Sequence, residues 1–304
     1  MLDEYLKKIA QTRVGARRDA ILDILDDIGA PYLIEDPIRI GSYIPINITV
    51  PLHMGQMPYI LIATNYDSPQ GSQGANSNGA AIAVALGLLR VFRFLQKQKK
   101  RPLPLEFAFF DLKETDRIGS RAYVDNIDTS QIYAMVNLNL CGIGNYVLMS
   151  QGEHHGTGTI ERALRQLQDT PHQHTLRYVD MLPPSDDKSF EAKEIPTVSV
   201  CIVPEEDILP MIGLAISLHN KEKLAILPGV YEAVHNRTLD TIDNVELNSM
   251  RQVMLVVNAL VSNMLNILPE EDIHWKKRRP EIVPIKHNSG EVIQENKGEE
   301  AAQK

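Results

Sequence analysis

The sequence contains little cysteine, few aromatic residues and no excess of positive charge. Two cysteines occur among 304 residues, Cys141 and Cys201, and each lies inside an apolar run with no second cysteine nearby. This spacing excludes a disulfide framework and a CxxC metal site, and it predicts two buried free thiols in a reducing compartment. The net charge of -8 argues against nucleic acid as a partner, because phosphate binding requires a basic surface.

The sequence also shows no segment with the pattern of a signal peptide or of a membrane-spanning helix. The N-terminal stretch MLDEYLKKIAQTR is charged and amphipathic, without the apolar centre of a signal peptide. The most apolar late segment, residues 253–268, is interrupted by three asparagines and is too short to cross a bilayer. We therefore expect a soluble, cytoplasmic protein without a membrane span. The sequence leaves the oligomeric state open.

Apolar residues are abundant enough to form a large core. They make up 43% of the chain and occur in strand-like and helix-like segments that alternate. The strand-like runs are 57–64, 105–111, 132–141, 145–150 and 196–203. The helix-like segments are 17–28, 78–97 and 246–268. This alternation predicts a three-layer α-β-α domain over residues 1–268, with a central mixed, largely parallel sheet.

Two other segments differ from this pattern. Residues 32–51 carry Pro and Gly between alternating apolar positions, which predicts the strands of a hairpin or meander. Residues 269–304 are rich in Glu, Lys and Pro with almost no apolar spacing, which predicts a polar, mobile tail.

Polar segments follow the predicted strands at the points where the strands end. In open α/β sheets ligands bind outside the carboxyl ends of the strands, so such segments mark a candidate site. These segments, with two later polar loops, are 65–68, 74–79, 111–114, 137–139, 185–187 and 234–240. We expect them to converge on one edge of the sheet.

In order and spacing, these segments resemble the motifs of the di-zinc aminopeptidases. That family also contains glutaminyl cyclases and the non-catalytic domains of transferrin receptor and nicastrin. The strings that carry the resemblance, within residues 6–268, are ATNYDS, GANSNGAA, FAFFDLKETDRIGS, VNLNLCG, PPSDDKSF and VHNRTLD. The corresponding family patterns are HxDS, GAND, FxxEExGxxGS, NLDxxG and a His followed by an Asp five residues on. The resemblance implies the family's α/β fold.

The resemblance also implies which residues stand at the family's zinc positions. The five ligand positions carry Asn65, Ser77, Glu114, Asn139 and His235. Of these, Glu114 and His235 alone retain side chains that bind zinc well. We therefore expect no cofactor; a single zinc ion, if bound, would be held weakly by these two residues, with water or Asp187 completing the shell.

Lys113 stands where the family has its general base. A lysine is already protonated at neutral pH, so it cannot take a proton from metal-bound water. We expect its ammonium to replace the metal's charge by pairing with Glu114 or Asp67. The alternative role for this lysine is a Schiff-base nucleophile whose pKa is lowered by burial. His235 is either a residual ligand or general acid, or a structural remnant held with Asp240.

Several functions are compatible with these replacements. The first is a pseudopeptidase, a non-catalytic relative that binds a peptide, an amine-bearing metabolite or a protein partner. The second is an enzyme with changed chemistry, such as a metal-independent transferase or cyclase acting through Lys113, Glu114, Asp187 and His235. A weak single-metal aminopeptidase is the third. The full predicted pocket is Asn65, Asp67, Ser77, Lys113, Glu114, Asn139, Asp187 and His235.

Overall fold

A computed structural model describes most of residues 1–268. The exceptions are residues 12, 36–37, 54, 56–57, 154–157, 169–173, 223–225 and 236–237, together with the side chains of 159 and 233–235. The predicted tail at 269–304 lies outside the described residues.

The strands of the described chain form one eight-stranded sheet. In chain order they are β1 Leu33–Ile34, β2 Ile48–Pro51, β3 Tyr59–Asn65, β4 Leu105–Phe110, β5 Ile132–Leu138, β6 Tyr146–Gln151, β7 Leu176–Tyr178 and β8 Thr197–Val203. Their order across the sheet is β1-β2-β4-β3-β5-β8-β6-β7. The four central strands, β4, β3, β5 and β8, are mutually parallel, as are β6 and β7. The other pairings are antiparallel. The predicted mixed, largely parallel sheet is confirmed.

Helices cover both faces of this sheet. They are α1 Leu2–Ile9, α2 Val14–Ile28, α3 Ala80–Lys99, α4 Ile118–Asn126, α5 Thr159–Gln168, α6 Asp187–Glu191, α7 Ile208–Asn220, α8 Gly229–His235 and α9 Leu247–Ile267. The largest apolar cluster joins one sheet face to α1, α2, α3, α5 and α9. Two smaller clusters join the other face to α4 and α6, and to α7 and α8. This is the predicted α-β-α arrangement.

The long helix α3 is apolar on most of its surface because it packs against the sheet and against α1 and α9. With the preceding turn at Ala75–Gly79, it is the one helix in the described part of the chain that is long and apolar enough to cross a bilayer. Of its most apolar window, 72% is buried inside the domain. The same composition is what a central helix between two apolar layers requires.

Candidate functional site

A chain of side-chain hydrogen bonds links the carboxyl ends of β5, β3 and β4. Leu140 N donates to Asn78 Oδ1 at 3.0 Å, and Asn78 Nδ2 donates to Asn65 Oδ1 at 2.9 Å. Asn65 Nδ2 donates to Asp67 Oδ1 at 3.0 Å, and Glu114 N donates to Asp67 Oδ2 at 2.9 Å. We call Asn65, Asp67 and Asn78 the amide network. Both ends of the Asn65 amide are engaged by protein atoms.

Asp240 holds the loop that carries Ser77. Its Oδ1 accepts from Asn76 N at 2.6 Å and from Ser77 N at 3.4 Å, and its Oδ2 accepts from Ser72 Oγ at 3.1 Å. These bonds satisfy backbone donors that would otherwise be buried without acceptors. Asp240 therefore fixes the course of the loop between β3 and α3, and with it the position of Ser77.

Arg17, on α2, is fully buried and forms hydrogen bonds to the same loop. Its Nη1 donates to the carbonyl oxygens of Gln73 and Gly74 at 3.0 and 3.1 Å, whereas Nε and Nη2 have no acceptor among the described residues. Burial lowers the pKa of Arg17 to about 10, and the charge of Asp240 opposes this shift. Gly74 has φ +58, and a Cβ there would overlap Arg17 Nη1, so this close approach requires glycine.

Lys113 and Glu114 form an ion pair in the loop after β4. The distance from Lys113 Nζ to Glu114 Oε1 is 2.9 Å, and the two side chains are 18% and 36% exposed. Burial lowers the pKa of Lys113, but the charge of Glu114, followed by that of Tyr231, outweighs this effect and the net shift is upward. The ammonium is therefore the stable form. The Schiff-base role predicted as an alternative would require a shift in the opposite direction.

Asp186 precedes α6 and is fully buried. No described donor makes a short, well-directed hydrogen bond to either carboxylate oxygen, although the Ser120 hydroxyl lies close enough to act on the carboxyl as a weaker donor. Burial raises the pKa of Asp186 to about 7, although nearby Ser120 and Lys113 act to lower it. The next residue, Asp187, is also buried, and its Oδ1 accepts from Ser185 N at 2.8 Å. The two neighbouring carboxylates thus differ in how they are bonded.

A small cavity lies beside these residues, with a volume of about 10 Å³. This is roughly the room that one water molecule needs. Its polar lining consists of Asn137, Asn139, Ser185 and Ser199, and its remaining lining is mainly apolar. Asn137 Oδ1 and Ser185 Oγ are buried without a hydrogen-bond partner among the described residues. We call Asn137, Ser185 and Asp186 the acceptor cluster.

Tyr231, on α8, also lines the cavity. Burial raises the pKa of Tyr231 to about 12, and the charge of Lys113 opposes this shift. The helix is held at its start by Asp207, whose two oxygens accept from Gly229 N at 2.7 Å and Val230 N at 2.8 Å. Capping of this kind fixes the direction of a short helix.

Most of the predicted pocket residues take part in these contacts. Asn65, Asp67 and Glu114 are joined by hydrogen bonds, Lys113 pairs with Glu114, and Asn139 lines the cavity. Ser77 and Asp187 lie in the adjoining loops, while the His235 side chain lies outside the described residues. That all eight residues form one ligand site stays a prediction.

Four residues that organise this region are absent from the eight predicted pocket residues: Arg17, Asn78, Asp186 and Tyr231. Asn78 and Asp186 lie in the polar segments 74–79 and 185–187, which were expected to converge on the edge of the sheet, but neither was assigned a role there. Arg17 lies 56 residues before the loop that it supports, and no local pattern connects the two.

Asn65 and Lys113, which stand at positions where the resemblance places a zinc ligand and the general base, are both bonded to neighbouring side chains. Zinc sites use imidazole, thiolate or carboxylate ligands. The Asn65 amide is engaged by Asn78 and Asp67, and the Lys113 ammonium is paired with Glu114. Among the described side chains, no group of three His, Cys, Asp or Glu residues is placed to hold a metal ion.

Known proteins resemble this chain in sequence over part of their length. Aminopeptidase YwaD of Bacillus subtilis is 30% identical over 100 residues, which cover 33% of this chain and 21% of that enzyme. The vacuolar membrane protease of Candida albicans (strain SC5314) is 26% identical over 134 residues, or 43% of this chain and 16% of that protein. These matches span well under two thirds of the relatives.

Solved structures share the fold. A Zn-dependent exopeptidase from Parabacteroides distasonis has a TM-score of 0.63 at 12% identity, covering 86% of this chain and 96% of its own. The glutaminyl cyclase of Porphyromonas gingivalis gives 0.61 at 12% identity, with the same coverage of 86% and 96%. The zinc aminopeptidase of Bacillus subtilis gives 0.52 at 18% identity, covering 71% of this chain and 49% of that one.

Identities this low establish the fold alone. The sequence profile of Peptidase family M28 goes further, because it matches residues 47–261, well over half of the chain. This match agrees with the resemblance found in the motif strings. The chain belongs to peptidase family M28.

Proposed function

We propose that this M28 chain is a pseudopeptidase, a non-catalytic protein that binds a ligand in the pocket at the carboxyl ends of its strands. The observation that carries the proposal is the Lys113–Glu114 ion pair. By resemblance to the aminopeptidases, Lys113 occupies the position of the general base. A protonated lysine held against a carboxylate cannot accept a proton from an attacking water.

The bonding of Asn65 supports the same proposal. By resemblance this residue stands at a zinc-ligand position, yet its Oδ1 accepts from Asn78 and its Nδ2 donates to Asp67. Coordinating a metal would require breaking a buried hydrogen bond to gain a neutral amide ligand, which zinc binds poorly. The hydrogen bonds of the amide network thus take the place of metal–ligand bonds.

An assay of peptidase activity together with zinc content tests this proposal. The full chain is stripped with chelator, reloaded with zinc, and assayed with leucine p-nitroanilide while its zinc content is measured. We expect no hydrolysis and no stoichiometric zinc. A matched variant carries Asn65→His, Ser77→Asp, Lys113→Glu and Asn139→Asp, and we expect it to retain zinc if it folds. Zinc-dependent hydrolysis by the unmodified chain would overturn the proposal, whatever the variant does.

A second candidate function rests on Asp186. Burial raises the pKa of Asp186 to about 7, and the charge of Lys113 acts on the same carboxyl; a group with such a pKa is suited to proton transfer. The corresponding activity would be a metal-independent transferase or cyclase on an amine-bearing substrate, using Lys113, Glu114, Asp187 and His235. Incubating the chelated chain with peptides that carry different N-terminal residues, followed by mass spectrometry, decides the matter. A product that disappears in Lys113→Met would favour this candidate over the binding protein.

A further inference from the structure

Helix α7 carries apolar side chains on its outer face as well as on its inner face. Ser217 has the single polar side chain among residues 208–218. On the inner face, Met211, Leu214 and Ala215 are buried. A helix that is apolar on all sides is normally enclosed by protein, so the outer face of α7 indicates a further contact.

The outer face presents a continuous apolar stripe. Leu209 is 78% exposed and Ile216 is 44% exposed, and Ile212 and Gly213 lie partly exposed between them. Their spacing of three and four residues places them on one side of the helix. Ile226, in the segment after the helix, is 70% exposed. We call Leu209, Ile212, Gly213 and Ile216 the outer stripe. Contiguous exposed apolar side chains mark surfaces that contact another molecule.

The charges at the two ends of α7 are opposite in sign. Glu205 and Glu206 lie exposed in the turn that precedes the helix, and His219 and Lys221 lie exposed at its end. The sequence at that end is HNKEK, with two lysines and one glutamate. Acidic starts and basic ends also stabilise a helix through its own dipole. Two copies of α7 lying antiparallel would in addition bring each acidic start to the basic end of the other copy.

The outer stripe is also self-complementary in its spacing. In an antiparallel pairing centred between Ile212 and Gly213, Leu209 of each copy lies opposite Ile216 of the other. The same pairing places Glu206 opposite His219. A two-fold interface requires such a match, because each copy contributes the same surface. Gly213 leaves room at the centre, where packed helix axes approach to about 8–10 Å.

A bilayer surface fits the outer stripe less well than a second copy does. Helices that lie on membranes carry Lys or Arg beside their apolar face, which anionic lipids attract. The outer stripe is instead preceded by Glu205 and Glu206, and the chain has a net charge of -8. Nor does a bilayer require residues that match about a central point.

We propose that the outer stripe is a homodimer interface, in which α7 packs antiparallel against α7 of a second copy of this chain. Its four residues per copy are far fewer than the roughly 20–30 residues a side of a standard interface, so we expect weak, micromolar association. The interface is independent of the proposed function, because the outer stripe lies on the side of α7 opposite Met211, which lines the cavity.

Sedimentation velocity of the full chain tests the interface. Across protein concentrations from about 5 to about 500 µM, we expect a shift from monomer to dimer. Leu209→Glu should weaken association by at least about tenfold, because the residue enters a two-fold interface twice. Leu255→Glu, at a leucine on α9 that is 53% exposed, is the matched control and should associate like the parent. A chain that stays monomeric throughout, or a folded Leu209→Glu that dimerises like the parent, would overturn the proposal.

Charge variants test the antiparallel direction. Glu205→Lys combined with Glu206→Lys, and separately Lys221→Glu, should each weaken association by about threefold or more at low salt, because like charges then meet at both ends. An equal mixture of the two variants should associate like the parent, since the charges of the two copies are again complementary. An effect confined to the helix itself would not be rescued by mixing. Unchanged association of the separate variants, or weakening that mixing does not rescue, would refute the antiparallel pairing.

Vesicles of phosphatidylcholine test the competing partner. We expect the full chain to remain in the supernatant when such vesicles are sedimented. Vesicle binding that is lost in Leu209→Glu and kept in Leu255→Glu would assign the outer stripe to a lipid surface and overturn the homodimer.

Discussion

The amide network and the acceptor cluster lie at the same edge of one sheet but differ in how their buried polar atoms are paired. In the amide network, Asn65 and Asn78 use both ends of their amides on protein partners. In the acceptor cluster, Asn137 Oδ1 and Ser185 Oγ have no partner among the described residues, and the Asp186 carboxylate has the Ser120 hydroxyl as a weak donor. The first region is closed by its own side chains, whereas the second leaves buried oxygens without a protein donor. The two regions therefore differ in how far the protein itself satisfies their polar atoms.

The largest effect is expected from breaking the amide network at Asn78. Asn78→Ala removes acceptors or donors from Leu140 N, Thr64 Oγ1 and Asn65 Oδ1, all within a buried region. We expect the free energy of unfolding to fall by about 3–5 kcal/mol, measured by urea denaturation. Asn266→Ala, exposed on α9, is the control and should change it by less than about 0.5 kcal/mol. Equal stability of both variants would show that the network is not structural.

Asp186→Asn probes the unpaired region, and its effect depends on pH. The pKa of Asp186 is raised to about 7 in the folded chain, above its ordinary value of 3.8. The unfolded chain therefore ionises first, and the parent loses stability as the pH rises from about 4 to about 7, by up to about 1.4 kcal/mol per pH unit. We expect the difference in unfolding free energy between the variant and the parent to shift in favour of the variant by about 2–4 kcal/mol between pH 4 and pH 8. Thermal and urea denaturation at each pH measure this difference. A pH-independent difference would contradict the raised pKa.

Lys113→Met is expected to have the smallest effect of the three. The Lys113 and Glu114 side chains are 18% and 36% exposed, so water solvates the carboxylate that the substitution leaves behind. We expect a loss of about 1 kcal/mol in unfolding free energy, reduced further at high salt. Lys7→Met, which breaks the more exposed pair with Asp3, should cost less still. A loss of about 3–5 kcal/mol would mean that the Lys113–Glu114 pair is closed to water.

The core elements could be predicted from the sequence because their apolar patterns are long. The runs at 57–64 and 105–111 correspond to β3 and β4, whose residues are all buried. Three of the elements that were missed are short or lack a period, whereas α5 was missed although its buried apolar residues follow helical spacing. α6 has five residues and β7 has three, and α7 carries apolar residues on its exposed as well as its buried positions. No 3.6-residue or 2-residue pattern can emerge from such segments.

For the candidate site, the sequence predicted which positions are involved but not the hydrogen bonds between them. The motif strings located Asn65, Lys113 and Glu114, but not which amide atom meets which partner. That depends on three strand ends meeting in space, as the bond from Leu140 to Asn78 illustrates across 62 residues. The partial exposure of the Lys113–Glu114 pair is likewise a property of the folded surface. Local sequence patterns carry no information on either.

The burial of α3 has a consequence for biosynthesis. The helix ends at Lys99, whereas α9, which packs along it, begins only at Leu247. During synthesis, α3 is therefore complete before α9 has been made. At that stage the nascent chain carries a helix that is long and apolar enough for insertion into a bilayer. During that interval, the elements available to pack against α3 are α1 and the early strands. α9 is therefore the last of the elements that pack against α3 to be synthesised.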